Sequence, residues 1–254
     1  MENQKEVTQM RNRFRELAER SYGQGVFTFT GFLGLGETDV FRQQEPELAY
    51  AGVSMDGGYP EADRCVVRFG KEEELGYSVP FPICCIRIAP VAMKFADELS
   101  HRDYLGALMN LGIERSTLGD IKIGENCGFL FCLESIAPFI CEHLTQVKHT
   151  AVTCRVIESP EEYPKEEPEL LTIQVQSMRV DAVIARVFGV SREKSIELFR
   201  SGKVFMDGRM CENNSRILKQ KESVSVRGYG KLRLAEEAVQ TKKGKLSAHI
   251  FVFR

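Results

Sequence analysis

Six glutamates and three prolines fall within the dozen residues from Glu158 to Glu169. Proline fixes φ and has no amide hydrogen to donate, and closely spaced carboxylates repel one another, so this stretch suits neither a helix interior nor a strand. It reads as an acidic spacer, placed at residues 159–172, that divides the chain into two separately folding bodies. Charge is divided in the same place. From Arg179 to the end there are 17 Lys+Arg and 8 Asp+Glu, a net of +9, while the preceding 178 residues carry 17 and 28, a net of −11. A basic module on an acidic carrier favours a polyanionic partner, because cations that neutralise phosphates release condensed counterions.

Within the basic part, Val180, Val183, Ile184, Val187 and Phe188 recur at i, i+3, i+4, i+7 and i+8, which places all five on one helical face. Gly189 suits the left-handed position after that helix, and Ser191 is placed to cap a second helix whose apolar residues are Ile196, Phe199 and Leu198 and which ends at Gly202. Asp207-Gly208, between Lys203–Met206 and Arg209–Cys211, is the residue pair that fits the two positive-φ positions of a tight hairpin. Ser223–Val226 supplies a further strand. One local rule is broken: Arg192 and Lys194 lie in the first turn of the second helix, where unpaired N–H groups and the helix dipole already make the surroundings positive. A phosphate bound there would offset that cost.

The pattern Arg179-Val-Asp181, Ser191-Arg192, Gly202-Lys-Val, Asp207-Gly208 and Val224-Ser-Val226 resembles the alpha-L RNA-binding domain first named for a small-subunit ribosomal protein. Its continuation through Arg227-Gly-Tyr-Gly-Lys231 and Thr241-Lys-Lys-Gly-Lys245 to a closing apolar strand resembles the YlmH proteins of Gram-positive bacteria, so the likeness spans essentially the whole chain. This chain has Val180 where the family usually has Leu, and Lys221-Glu222 where it usually has Gly-Asp. The resemblance implies an RNA-binding protein engaging ribosomal RNA and tRNA on the large ribosomal subunit, in rescue of stalled translation with tailing of the nascent chain. It implies contacts from Arg179, Ser191, Arg192, Lys194, Lys203, Arg209, Arg227, Tyr229 and Lys231. Tyr229, between two glycines, is expected to stack on an unpaired base.

The acidic part is read as two units, residues 1–80 and 81–158, with the basic domain at 173–254. Residues 4–20 read as an amphipathic helix around Phe14 and Leu17 whose arginines form a solvated face. The glycine-rich Thr30–Gly36 segment lacks the Gly-Lys-Ser/Thr end of a phosphate loop and reads as a turn. Leu48–Met55 and Arg64–Phe69 read as strands. Next come a strand at Ile83–Ile88, a helix at Met93–Leu111, strands at Ile121–Ile123 and Gly128–Cys132, a helix at Ile136–Leu144 and a strand at Val152–Ile157. This order predicts a ferredoxin-like, RNA-recognition-motif-like domain whose sheet is available to RNA. Phe129 and Phe131, on one strand face, read as core because the aromatic RNA-recognition signature around them is incomplete. Asp97, Arg102 and Asp103 lack a convergent base, nucleophile or metal motif and read as a solvated helix face. The expected fold class is therefore α+β in three parts.

No Cys-x-x-Cys pair occurs and the four histidines are scattered, so no metal or cofactor is expected and the eight cysteines read as reduced core residues. No cleavable leader opens the sequence and no apolar run is long enough to span a bilayer, which predicts a cytoplasmic, membrane-free, monomeric protein. The rival function is an RNA-modifying enzyme, since pseudouridine synthases and tyrosyl-tRNA synthetases carry the same module. No His-x-Gly-His motif, cofactor loop or synthase-like catalytic Asp supports it, and a non-enzymatic protein is expected. A scaffold for cell division is a third alternative.

Overall fold

The computed structural model describes residues 2–157, 168–241 and 244–253, which form an α+β protein of two compact units, Met1–Pro164 and Lys165–Arg254. None of the helices is long and apolar enough to cross a membrane among the described residues.

The first unit opens with α1 (Glu2–Gln24), which buries Phe14, Leu17, Ala18 and Ser21 at helical spacing. Three strands, β1 (Thr28–Leu33), β2 (Val53–Asp56) and β3 (Cys65–Phe69), pair antiparallel in the order β1-β3-β2. Between β1 and β2 lies α2 (Leu35–Leu48), where a turn followed by a strand was expected. Glycines at its start and Pro46 inside it mask its helical character in the sequence, but Glu37 accepts from the Gly34 amide at 2.6 Å, and Phe41 packs edge-on against Phe14. The run Lys71–Glu74 contributes one short turn, α3 (Glu72–Leu75).

A second sheet follows in the same unit. Its elements are β4 (Ile83–Pro90), α4 (His101–Asn110), β5 (Leu118–Gly124), β6 (Cys127–Leu133), α5 (Ala137–His143), β7 (Gln146–Val147) and β8 (Thr150–Val156). The sheet order is β5-β6-β4-β8-β7, with every pairing antiparallel. Instead of starting at Met93, the helix starts at His101, because the Asp103 carboxylate accepts from the Ser100 amide and hydroxyl and fixes the cap there. One face of this sheet packs Ile86, Ile88 and Leu130 against Tyr104 and Leu108 of α4 and Ile140 of α5. The opposite face packs Cys85, Cys127, Phe129 and Phe131 against Phe32 and Val66 of the first sheet. Both faces of β6 are thus buried, which accounts for its unbroken apolar run. The Arg64 fork joins the two sheets, donating from Nε to the Leu118 carbonyl at 2.9 Å and from one terminal nitrogen to the Phe32 and Arg115 carbonyls at 3.0 Å.

The second unit begins with β9 (Glu169–Val175) and continues through α6 (Val180–Val187), α7 (Arg192–Arg200), β10 (Val204–Met206), β11 (Arg209–Met210), β12 (Ser223–Val226), β13 (Gly230–Leu234), β14 (Val239–Gln240) and β15 (Leu246–Phe253). Its sheet runs β11-β10-β12-β13-β15, and both β14 and β9 also pair with β15. The spacer read at 159–172 is corrected at its end: residues 159–167 lie outside the described residues, and Glu169–Thr172 belong to β9. Seven β9 residues pair with β15, and the β-branched Thr172, Ile173 and Val175 suit the strand once the acidic approach is past. Val180, Val183, Ile184 and Val187 of α6 enter the core together, as their spacing requires.

Candidate nucleic-acid interface

The joint between α6 and α7 is built on one carboxylate. Asp181 is fully buried and accepts from Arg179 Nε at 3.1 Å, from a terminal Arg179 nitrogen at 2.8 Å and from Asn214 Nδ2 at 3.1 Å. Arg192 reaches it from α7 at 3.7 Å. Burial pushes the Asp181 carboxyl up, but the Arg179 hydrogen bonds and the charges of Arg179 and Arg192 outweigh this and hold it below the usual carboxylate range. Two arginines thus share one carboxylate. Arg179 is turned inward on it, while the Arg192 side chain is 61% exposed and carries the surplus charge outward.

Ser191 caps α7 by accepting from the Lys194 amide at 3.1 Å, so its hydroxyl oxygen is engaged within the protein. Arg192 and Lys194 follow in the first turn. The Lys194 ammonium donates to Glu197 at 2.9 Å, and this bond raises the lysine pKa and lowers that of the glutamate. Lys203 lies near enough to Glu197 to add to that lowering. Lys194 therefore holds Glu197 directly, and Lys203 acts on the same carboxylate from a distance.

The remaining predicted contacts are spread along the sheet. Arg227 lies over the Phe205 ring at 5.0 Å and is exposed, Arg209 is exposed on β11, and Lys231 is half-buried on β13 opposite Ser225. Tyr229 is half-buried and its ring packs on Phe188 at 5.7 Å, against the core of the unit. The geometry thus groups Arg192, Lys194, Lys203 and Tyr229 around α7 and sets Arg179 to organising Asp181. Glu197, which holds Lys194, and Asn214, which donates to Asp181, were not singled out from the sequence. The Lys194–Glu197 spacing of three residues on a helix is the signal that was available for one of them; Asn214, far from Asp181 in sequence, left none.

In the first unit, the sheet face bearing Phe129 and Phe131 is not open to RNA. Both rings are 4% exposed beneath the β1–β3 sheet, which bears out their reading as core residues and leaves this face of the sheet covered.

A relative from Bacillus subtilis (strain 168), "Ribosome-associated protein quality control protein P2", is 32% identical over 198 residues, covering 78% of this chain and 76% of its own length. The chain belongs to the YlmH family. A family model described as "Putative RNA-binding domain in YlmH" matches residues 80–161, the segment that holds β4 through β8. The solved structure titled "Cell division protein ylmH from Streptococcus pneumoniae" shares the fold over 63% of this chain and 95% of its own, with a TM-score of 0.51 and 13% identity. Lys221, at one of the two departures noted in the sequence, adopts φ +68, a left-handed conformation that glycine would favour. Glu222 then takes the capping role, accepting from the Lys219 amide and from Arg216 at 2.8 Å each.

Proposed function

We propose that this protein binds structured RNA on the large ribosomal subunit, contacting ribosomal RNA and the tRNA of a stalled peptidyl-tRNA, and acts without catalysis in the quality control of stalled translation, where it supports tailing of the nascent chain. The observation that carries this reading is the pairing of Arg192 and Lys194 at the N-terminus of α7, with Arg192 in surplus over the buried Asp181. That arrangement opposes the helix dipole and is relieved by a bound phosphate. The name of the Bacillus subtilis relative and the description of the family model support the ribosome and RNA, respectively. In this reading the second unit is an alpha-L domain and residues 81–158 form an RNA-recognition-motif-like domain behind an N-terminal unit of residues 1–80. The protein works as a cytoplasmic monomer.

Arg179 acts through Asp181, holding the α6–α7 joint, while Arg192, Lys194, Lys203, Arg209, Arg227 and Lys231 face phosphates. Ser191 serves as the cap that presents the helix N-terminus, and Tyr229 stands beside Lys194 where a base edge or ribose meets the site. Phosphate contacts position an RNA without reading its sequence, so recognition of the occupied subunit falls to the whole chain. The test is RNA affinity against salt for Arg192→Ala and Lys194→Ala. Each variant folds normally and loses one phosphate contact, lowering the slope of log affinity against log salt by about one unit. Unchanged affinity and slope in both would remove the α7 face from the interface.

A further inference from the structure

The family model places RNA binding in residues 80–161, yet the sheet face of that segment is buried under the first sheet. Two cavities lie in this part of the first unit among the described residues. One, of about 400 Å³, is lined by Asp97 and Glu98 and repels phosphate. The other is an open groove of about 610 Å³ between α4 and the α5–β7 turn, and its charged and polar side chains differ in kind. We propose that this second groove binds a single RNA strand, with Arg102 and Lys148 on its phosphates and a base stacked on His143. The proposal rests on the RNA-binding reading above and assigns it a second contact surface.

Four observations meet in the groove. Arg102, Gly106 and Asn110 recur at four-residue spacing and so lie along one exposed stripe of α4. Gly106 is an exposed glycine in a helix interior, where it weakens the helix relative to alanine, and a Cβ there would meet nothing within 4 Å. No packing inside the protein accounts for it, whereas close approach of a ligand backbone does. Across the groove, Lys148 adopts φ +51 in the tight turn between β7 and β8, a conformation that suits glycine or asparagine better than lysine. Its ammonium meets Asp103 at 2.9 Å, so Arg102 leaves the groove one positive charge in excess on a body whose net charge is strongly negative. His143 stacks on the exposed Phe139 ring, with centroids 4.3 Å apart and planes at 17°, and its own ring lines the groove. A base laid on the imidazole would extend that stack, which is the common way that single-stranded RNA is held. Asn110 also lines the groove, where its amide suits base edges or ribose hydroxyls, while the Gln146 amide nitrogen donates to the Lys148 carbonyl at 2.8 Å and braces the turn.

The full-length protein is titrated with a short fluorescein-labelled single-stranded RNA, and separately with large ribosomal subunits. Arg102→Gln with Lys148→Asn keeps the turn favourable, so melting temperature holds while RNA affinity falls by about tenfold and the salt slope drops by about two units. His143→Ala lowers affinity by about fivefold or more. Gly106→Gln places a bulky neutral helix former in the groove: melting temperature rises and affinity falls. The proposal is overturned if the groove variants bind RNA as the parent does while Arg192→Ala and Lys194→Ala weaken it, an outcome that leaves the α7 interface standing. It is equally overturned if the groove variants keep RNA affinity but lose the subunit, since the groove then meets ribosomal protein. Absence of RNA binding by the parent chain itself would remove the RNA-binding reading along with the groove.

Discussion

Lys221 shows how far one residue's conformation is set by its surroundings. It is exposed and held at φ +68, between the amide contacts of Glu222 and the start of β12, at a cost that a glycine avoids. Lys221→Gly is expected to stabilise the second unit by about 0.5–1 kcal/mol, the relief of left-handed strain less the added freedom of the unfolded chain. Thermal unfolding checks this, and a lowered melting temperature would show that the lysine side chain contributes more than its backbone costs. Asp181 makes the opposite case. Its folded pKa is depressed, so its contribution is present at neutral pH, above the unfolded carboxylate value, and is lost as pH falls through the folded value. Asp181→Asn should cost about 1–3 kcal/mol at neutral pH, because Arg179 and Arg192 lose their shared anion. The variant should also lose less stability than the parent on acidification below about pH 4, and parallel stability curves across that range would contradict the assignment. At this scale Arg179 was read as an RNA contact, whereas the structure turns it onto Asp181, two residues away. The packing of Tyr229 on Phe188 was not legible, because the two rings come from elements forty residues apart and the glycines beside the tyrosine suggested exposure.

At the scale of elements, the helices with clean apolar spacing were readable and those with mixed signals were not. α6 and α7 follow from Val180–Val187 and from the Ser191 cap, and the β10–β11 hairpin follows from Asp207 and Gly208, both of which take positive φ. α2 was hidden by Gly34, Gly36 and Pro46, and its stability comes from tertiary packing of Phe41 and Leu48. β9 was hidden by its glutamate-rich approach, since its order derives from β15, a partner more than seventy residues away. Burial of Phe129 and Phe131 was expected from the strand alternation. Which surface covers them was not legible, because that depends on how two sheets meet. Phe131→Ala should cost about 3–5 kcal/mol, the loss expected for a fully buried aromatic. Urea unfolding measures it. A loss under about 1 kcal/mol would mean that the sheet face is open after all.

For the whole molecule, the division into an acidic body and a basic end was legible from charge alone, and the two compact units divide at the acidic stretch. The second unit extends further toward the N-terminus than its motifs suggest: a fragment starting at Arg179 lacks β9, and with it the strand that pairs with seven residues of β15. Separating the halves functionally therefore requires the cut to fall before Glu169. The central claim concerns what both units recognise together. In the proposed reading, phosphate contacts around α7 would supply affinity without discrimination, so a preference among subunits would report on the complete protein. The direct measurement is co-sedimentation of the full-length protein at physiological salt with large ribosomal subunits that carry peptidyl-tRNA and with subunits that are empty. The account predicts that more protein sediments with the occupied subunits; equal sedimentation with both would contradict it.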